Sequence, residues 1–584
     1  MIIRGKIAPQ SSESSGSKGN ATRRLAFLVA ILIGFVLVIV VQLLRLQVFQ
    51  TVAGNVPEPF PPNYQPEVAF HRGLILDCHG YFLALNIFEY DVSAAPNLVE
   101  DPQYVADHLW PLLDVSLDEL LSFLAQEQPY VLLKQRVSKE VAEAITSAIT
   151  SLELEGIYLE PKLRRKYPET EMAAHVIGFV NYDCDGAYGL EGYYDLLLKG
   201  TSTIPQGMVY PRNEAVRIVF HQLALPQDGP HLILTLDRNI QHLVEQELAE
   251  AITKYAAEGG TVIVMDPKTG AILAMATYPS YDPNHFYEVP MELYNNPAVS
   301  EQYEPGSVFK IITMAAGLDV GIIGPETTFY DSGTMEVGGL VIQNPDRRAH
   351  GLVTMTDIIA HSLNVGAAYV STSLGEERFY TYVRRFGFGC ETGIDLYGEA
   401  AGSLKVPGSS RWSRSDLGTN SFGQGIAVTP LQMIAAVAAV ANRGFLMKPY
   451  VVERIVYEQE VIVTQPTVVR QAISARAAEQ LTDMLMETVK QGAKLASVPG
   501  YDVAGKTGTA QIPVGDHYDP DLTIASFVGF APADDPRFIA LVKIDKPRVA
   551  SEGAHVAAPV FQAIAERLFV LLDVPPDSIR LASR

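Results

Sequence analysis

The sequence predicts an α+β fold: an antiparallel sheet of about five strands flanked by helices, preceded by a separate N-terminal body and a transmembrane helix. Residues 261–277 read as two apolar strands around a turn, and three more strands follow residue 502. Helical apolar spacing marks residues 239–257 and 558–572. Because 584 residues are too many for a single hydrophobic core, we expect two to four domains.

Residues 25–44 predict the transmembrane helix. This run of twenty residues carries no charge, and a helix of that length matches a hydrocarbon core of about 30 Å. A cleaved signal peptide would have a shorter apolar region and a small-residue cleavage site, which is not evident after Arg45. Basic residues before the span predict a cytoplasmic tail, residues 1–24, and an extracytoplasmic body after it.

Composition changes divide the remainder of the chain. Five prolines between residues 57 and 66 predict a stiff linker, because proline fixes φ and removes a hydrogen-bond donor. The strand pattern at 232–237 places the main boundary just before it. We therefore expect a linker and N-terminal domain at 45–230, a C-terminal domain at 231–575 and a C-terminal tail at 576–584.

Charge and cysteine usage exclude two classes of site. A formal net charge of -22 argues against nucleic-acid binding, which needs a basic surface. Cys78, Cys184 and Cys390 are far apart, with no C-x-x-C pair and no histidine spacing that suits zinc. The sequence therefore predicts no metal site, and the cysteines are expected to be small buried hydrophobic residues.

Ser307 and Lys310 are the candidate nucleophile and base. They lie in YEPGSVFKIITMAAGL, where Pro305 and Gly306 open an apolar helix on which positions i and i+3 share a face. A serine hydroxyl needs an adjacent base, and a lysine acts as one only when burial favours its neutral form. The apolar neighbours of Lys310 are expected to supply that burial.

Motif order separates this pair from chance matches. S-x-x-K also occurs at Ser15 and Lys18, and K-T-G also occurs at 268–270, before Ser307. Only one set has the order S-x-x-K, S-x-N, K-T-G, which is typical of penicillin-binding proteins and class A β-lactamases. Its members after the first motif are Ser362, Leu363, Asn364, Lys506, Thr507 and Gly508.

The second motif offers groups that move or orient a proton. Ser362 can relay a proton, and Asn364 can orient Lys310 or a substrate amide. In isolation each residue would be interpreted as an ordinary cap or core side chain. Their joint occurrence in the required order favours the catalytic interpretation.

The third motif suits a substrate that ends in a carboxylate. Lys506 supplies a cation, and the hydroxyls of Thr507 and Thr509 supply donors. Gly508 would let the substrate backbone approach the strand closely. The backbone N–H groups of Ser307 and Thr509 are the expected oxyanion hole, in which one donor contributes about 3–4 kcal/mol.

From about His71 to Phe569 the chain resembles a class B penicillin-binding protein. The resemblance rests on HRGLILDCHGYFLALN, RRKYPETEMAAHVIGFVNYDCDGAYGLEGYYDLLLKG, DPKTGAILAMATYPSYDPN, YEPGSVFK, HSLNVG, GFGCETGIDLYGEAAG, SFGQGIAVTPLQM and AGKTGTAQ. It implies an elongated, non-catalytic pedestal of the dimerisation type and a serine β-lactamase-like transpeptidase domain. It also implies a D,D-transpeptidase without cofactor that acts on stem peptides ending in D-Ala-D-Ala and binds penicillin and other β-lactams covalently.

Two details refine the resemblance. S-x-N in place of S-x-D, with HVIGFVN and GLEGYYD, is more similar to the septal, division-type branch than to the elongation branch. That branch implies a bacterial cytoplasmic-membrane location, a membrane glycosyltransferase and division proteins as partners. Cys78 and His79 depart from the family pattern, which usually has a basic residue followed by a small or polar one.

Two other classes of function are alternatives: a hydrolase with the same nucleophile and a non-catalytic protein. A D,D-carboxypeptidase or β-lactamase would let water take the acyl group, and the sequence does not exclude either. The long pedestal and single anchor favour transpeptidation, because a small hydrolase needs no spacer. A non-catalytic division scaffold or β-lactam receptor is disfavoured by the intact motif set.

Overall fold

The computed structural model describes residues 71–200, 228–514 and 517–582, all within one compact unit, Phe70–Arg584. The predicted cytoplasmic tail, the anchor at 25–44 and the proline linker lie outside the described residues. Among the residues that are described, no helix has the length and apolar character needed to cross a membrane.

The strands of the described residues set the framework of two sheets and several small ribbons. They are β1 Ile75–Leu76, β2 Phe82–Ala94, β3 Val131–Val137, β4 Ile157–Lys166, β5 Phe179–Val180, β6 Gly186–Ala187, β7 His231–Leu234, β8 Gly259–Met265, β9 Ile272–Tyr278, β10 Thr328–Asp331, β11 Thr334–Val337, β12 Leu340–Gln343, β13 Gly351–Thr354, β14 Phe445–Met447, β15 Val452–Val456, β16 Val461–Val463, β17 Val468–Gln471, β18 Ala504–Val514, β19 His517–Ala531 and β20 Phe538–Asp545.

The α-helices of the described residues pack around these sheets. They are α1 Pro102–Leu113, α2 Leu117–Leu124, α3 Lys139–Leu152, α4 Ala174–Ile177, α5 Gly189–Tyr193, α6 Asp195–Leu198, α7 Arg238–Tyr255, α8 Pro297–Ser300, α9 Lys310–Val320, α10 Met355–Ala360, α11 Asn364–Leu374, α12 Glu376–Arg385, α13 Arg414–Thr419, α14 Pro430–Ala441, α15 Ala475–Gly492, α16 Ala557–Leu571 and α17 Asp577–Ala582.

The central sheet confirms the predicted antiparallel arrangement. In the described part of the chain its five strands run in the order β18-β19-β20-β8-β9, and each neighbouring pair is antiparallel. β8 and β9 form the hairpin expected from residues 261–277. β18, which carries the K-T-G motif, is an edge strand.

Both faces of this sheet are buried, because alternate side chains of each strand point to opposite faces. In β8, Val262 and Val264 belong to a core shared with α7 and α16, whose members include Ile240 and Phe561. Ile263, between them, belongs to the other core, which includes residues of α9, α14 and α15. The sheet therefore lies between two helical layers. This arrangement is the one expected when apolar residues occupy both the odd and the even positions of the strands.

A seven-stranded sheet joins the N-terminal and C-terminal parts of the described chain. Its path is β16-β15-β7-β1-β2-β3, with β4 also paired to β2. β7 pairs in parallel with β1 and antiparallel with β15, so the strand at the predicted domain boundary is shared by both parts. The position of that boundary stays a prediction.

The N-terminal body has a small core of its own. Apolar residues of α1, α2 and α3 pack there against β2, β3 and β4, with Val92, Leu109 and Ile145 fully buried. Two arginines fix this body to the segment that follows it: Arg72 and Arg165 both form ion pairs with the fully buried Glu191. Removing one partner of such a buried pair typically costs about 3–5 kcal/mol.

Two expectations about local structure are wrong or incomplete. The cysteines are not buried: Cys184 and Cys390 are exposed and Cys78 is half-buried. Cys184 lies in the connection between β5 and β6, and such connections run over the protein surface. The segment expected as a tail contains α17, because Arg580 pairs with Asp534 and Asp577.

Candidate active site

Ser307 and Lys310 meet as the sequence predicts, on a slightly different element. Gly306–Phe309 form a 3-10 turn, and α9 begins at Lys310. Because side chains at i and i+3 eclipse in a 3-10 turn, the two groups lie directly above one another. Lys310 Nζ donates to Ser307 Oγ at 3.2 Å. Ser307 is half-buried, so its hydroxyl is reachable.

Ser362 completes a three-residue cluster with that pair. Lys310 Nζ donates to Ser362 Oγ at 3.1 Å and to Ser362 O at 2.5 Å. Ser362 lies in the turn between α10 and α11 with a φ of 58°, a left-handed conformation that is rare for a residue with a side chain. Such backbone strain is concentrated at functional sites.

The environment of Lys310 favours its neutral form. Its side chain is 0% exposed, as are Phe309 and Ile311 beside it. Burial, and then the nearby charge of Lys506, lowers the pKa of Lys310 well below its usual value. A neutral amine within hydrogen-bond distance of a serine hydroxyl is a general base in position.

Lys506 is the second buried lysine of the site. It lies on β18 and is 1% exposed, and Nζ donates to Thr507 O at 3.1 Å and to Thr507 Oγ1 at 3.3 Å. Burial lowers its pKa to about 7. A bound carboxylate would favour the charged form of Lys506, because a nearby opposite charge stabilises it.

Thr507 and Thr509 lie on the more open face of β18. Thr507 is half-buried and Thr509 is exposed, while Gly508 between them is buried. Thr509 Oγ1 accepts from Gly553 N at 3.0 Å. A hydroxyl that accepts one bond still has its hydrogen to donate, so this contact leaves the Thr509 hydroxyl able to donate to a ligand.

The contacts of Asn364 bear on the two roles predicted for it. It begins α11, and its Nδ2 donates to Gln343 O at 3.0 Å. In the described structure the side chain therefore bonds to β12 rather than to Lys310. Of the two alternatives for Asn364, orientation of a substrate amide is the one compatible with this geometry.

Position 508 must be glycine for a packing reason, which differs from the substrate approach that the sequence suggests. A Cβ at this position would lie 2.4 Å from Ser526 Oγ, 2.9 Å from Val308 Cγ2 and 3.1 Å from Pro305 O. The last two atoms belong to the turn that carries Ser307. Glycine is therefore needed because the serine turn packs directly on β18.

We predict that Gly508→Ala displaces the Ser307 turn. Overpacking of this kind costs about 1–3 kcal/mol in stability. A displacement of about 1 Å at a reacting atom lowers the rate by about 100-fold. The rate of covalent labelling by penicillin measures the effect on the reaction, and the melting temperature measures the effect on stability. The matched control is Gly324→Ala, whose added Cβ would have one neighbour, at 3.8 Å; equal rates in the two variants would contradict the prediction.

Residues outside the three motifs also support the serine turn. Glu304 accepts from Gly425 N at 2.9 Å and from Tyr518 OH at 3.1 Å. Gly306 N donates to Gly423 O at 3.2 Å, and a Cβ on Gly423 would lie 2.2 Å from Gly306 O. The motif SFGQG was part of the resemblance, but its contact with Ser307 could not be predicted because the two segments are over 100 residues apart in sequence.

Fold and geometry together define a class of protein: a serine acyltransferase fold with a buried lysine beside the candidate nucleophile. Comparison with known proteins agrees. Residues 260–566 match the penicillin-binding protein transpeptidase domain, and residues 68–234 match the penicillin-binding protein dimerisation domain. The chain belongs to the penicillin-binding proteins that combine these two domains.

Relatives match over most of their length. The chain is 34% identical to stage V sporulation protein D of Bacillus subtilis, over 95% of this chain and 87% of the relative. It is 30% identical to peptidoglycan D,D-transpeptidase FtsI of Escherichia coli, over 88% and 86%. The crystal structure of penicillin-binding protein 3 from Mycobacterium tuberculosis with aztreonam aligns with a TM-score of 0.67 and 29% identity, over 87% of this chain and 97% of that one.

Proposed function

We propose that Ser307 of this peptidoglycan D,D-transpeptidase attacks stem peptides ending in D-Ala-D-Ala and transfers the acyl group to an amine of a neighbouring stem. One observation carries the assignment: Lys310 Nζ lies 3.2 Å from Ser307 Oγ and 3.1 Å from Ser362 Oγ while fully buried. A covalent acyl-serine route needs this combination of nucleophile, neutral base and relay.

In the acylation step, Ser307 Oγ attacks the carbonyl carbon of the penultimate D-Ala and Lys310 takes the hydroxyl proton. The tetrahedral intermediate then collapses as the C–N bond breaks. Terminal D-Ala leaves as an amine, having received a proton from Lys310 through Ser362. The product is an ester between the peptide and Ser307, with Lys310 again neutral.

In the second step the acceptor amine attacks the ester carbonyl. The amine loses a proton to the same lysine and serine pair as the new amide bond forms. The C–O bond to Ser307 breaks, and Ser307 regains its proton. A β-lactam follows only the first step, because its ring opening leaves the leaving group attached to the acyl-enzyme.

Binding of the terminal carboxylate is assigned to Lys506, Thr507 and Thr509. A cation with two hydroxyl donors on an edge strand gives charge-assisted hydrogen bonds of the kind that hold carboxylates. The N–H groups of Ser307 and Thr509 are assigned to the oxyanion hole. Contact between the serine turn and β18 supports that pairing, because a Cβ on Gly306 would lie 3.2 Å from Thr509 O.

We place this activity in septal wall synthesis, outside the cytoplasmic membrane and on a single anchor at residues 25–44. The division-type motifs of the sequence and the similarity to FtsI of Escherichia coli support this placement. A membrane glycosyltransferase and division proteins are the partners that a septal role requires. The catalytic roles and the septal placement can be tested separately.

The test of the proposed function is a competition between amine and water for the acyl group. Full-length protein in detergent is given a stem pentapeptide ending in D-Ala-D-Ala and a second stem peptide as acceptor. Mass spectrometry then measures cross-linked product and hydrolysed tetrapeptide. We expect cross-linked product to exceed tetrapeptide and to increase with acceptor concentration.

Three results would overturn the assignment. Tetrapeptide as the main product at every acceptor concentration would identify a D,D-carboxypeptidase. Continuous turnover of penicillin would identify a β-lactamase. A folded protein that neither releases D-Ala nor labels with penicillin would favour a non-catalytic scaffold.

A further inference from the structure

Cys78 and His79 are held in place by a tight turn at the start of the N-terminal body. Asp77 Oδ1 accepts from His79 N at 2.9 Å and from Tyr81 N at 2.8 Å, and Gly80 N donates to Asp77 O at 3.1 Å. Asp77 itself is fully buried. Two adjacent residues with metal-binding side chains therefore lie on a fixed backbone.

The same turn is bound to the beginning of α7. Cys78 N donates to Leu236 O at 2.9 Å, and Asp77 Oδ2 accepts from Arg238 N at 3.2 Å. Asp237 caps α7 through Oδ1, which accepts from two backbone N–H groups. Its other oxygen, Oδ2, lies 2.9 Å from His79 Nε2.

From this convergence we propose that Cys78, His79 and Asp237 form a binding site for a zinc-like divalent cation. One ligand atom from each residue lies within 4.8 Å of the other two. Zinc bound tetrahedrally at about 2.3 Å from sulfur and about 2.0 Å from nitrogen or oxygen requires ligand atoms about 3.3–3.6 Å apart. His79 Nε2 and Asp237 Oδ2, now 2.9 Å apart, would have to separate by a few tenths of an ångström to admit the ion.

Access and charge both suit a cation. The His79 side chain is 55% exposed and that of Asp237 is 18% exposed, so an ion can enter from solvent and a water can fill the fourth position. Burial, followed by the charges of Asp237, Asp77 and Glu453, raises the pKa of the Cys78 thiol to about 12, so cation binding must displace a proton from the sulfur. Sulfur, imidazole and carboxylate together are a donor set typical of zinc.

The cation would cross-link the N-terminal and C-terminal parts of the chain. It would join the turn after β1 to the start of α7, beside the place where β1 pairs with β7. Such a site has no spacing signature in the sequence, because two ligands are adjacent and the third lies 158 residues from His79.

The experiment is a titration of the full-length, chelator-stripped protein in detergent with Zn²⁺, and separately with Co²⁺ as a spectroscopic probe. We expect one equivalent of Zn²⁺ to bind, a sulfur-to-cobalt charge-transfer absorption, and a higher melting temperature with Zn²⁺ present. Cys78→Ser and His79→Ala should each lower the affinity by at least about tenfold. Cys78→Ser should also remove the charge-transfer band.

Two variants make the result specific. Asp237→Asn removes the charged ligand while keeping a good helix cap, and should weaken binding without unfolding α7. Cys184→Ser, which replaces an exposed cysteine in another turn, should leave affinity and spectrum unchanged. Penicillin labelling of each variant verifies that it is folded. The proposal is wrong if the protein does not bind Zn²⁺, or if wild type, Cys78→Ser and His79→Ala bind it with equal affinity. The cluster would then be a surface ion pair and not a metal site.

Discussion

Ser307→Ala is expected to abolish covalent labelling by penicillin and to lower D,D-transpeptidation by on the order of 10⁴-fold or more. The reason is that the ester intermediate forms on Ser307 Oγ, and no step of the route can proceed without that oxygen. Alanine fits the half-buried position without strain, so the variant should keep its fold. Intact-mass spectrometry after incubation with penicillin measures the loss directly.

The matched control for that variant is Ser15→Ala, which removes the serine of the other S-x-x-K sequence. Its labelling should equal that of the wild type. Peptide mapping should place the penicilloyl group on Ser307 in both labelled proteins. A penicilloyl adduct of normal stoichiometry on Ser307→Ala would show that another residue is the nucleophile.

Lys310→Met is expected to lower the rate of acylation by about 10²–10⁴-fold, the usual contribution of a general base. Methionine is apolar and unbranched, and it fills most of the fully buried space that Lys310 occupies. The nucleophile therefore stays in place while its base is lost. Stopped-flow measurement of penicillin acylation gives the rate, and the control is Lys268→Met, in the K-T-G sequence that precedes Ser307.

The pH dependence of the unfolding free energy distinguishes loss of the general base from a general loss of structure. The folded-state pKa of Lys310 is lowered by burial, so between that pKa and about 10.5 the unfolded chain binds one more proton than the folded chain. Stability must therefore rise with pH in this window, by about 1.4 kcal/mol per pH unit for each such lysine. Lys506, with a pKa of about 7, contributes in the same direction from about pH 7 upward.

Lys310→Met should consequently show a shallower increase of unfolding free energy between pH 7 and 10 than the wild type. Denaturant titrations at several pH values measure this slope. Normal acylation by the variant would rule out Lys310 as the base. An unchanged slope would show that Lys310 is not held neutral in the folded protein.

Local sequence determined much of the architecture. The two apolar runs around the turn at 261–277 predicted the β8–β9 hairpin. Apolar residues at both odd and even positions of these strands required helices on both faces of the sheet. The Ser307 and Lys310 pairing also follows from local spacing, because a single turn of helix or 3-10 helix brings i and i+3 together. The order of the three motifs then selected one serine among two S-x-x-K matches.

Tertiary structure decided which groups meet across long sequence separations. It placed Asn364 against Gln343 rather than Lys310, put the serine turn against Gly508, and brought Asp237 to Cys78 and His79. None of these contacts has a local signal, since periodicity fixes the face on which a side chain lies but not its partner. Strand pairing and helix packing choose that partner, and they depend on burial summed over the whole chain.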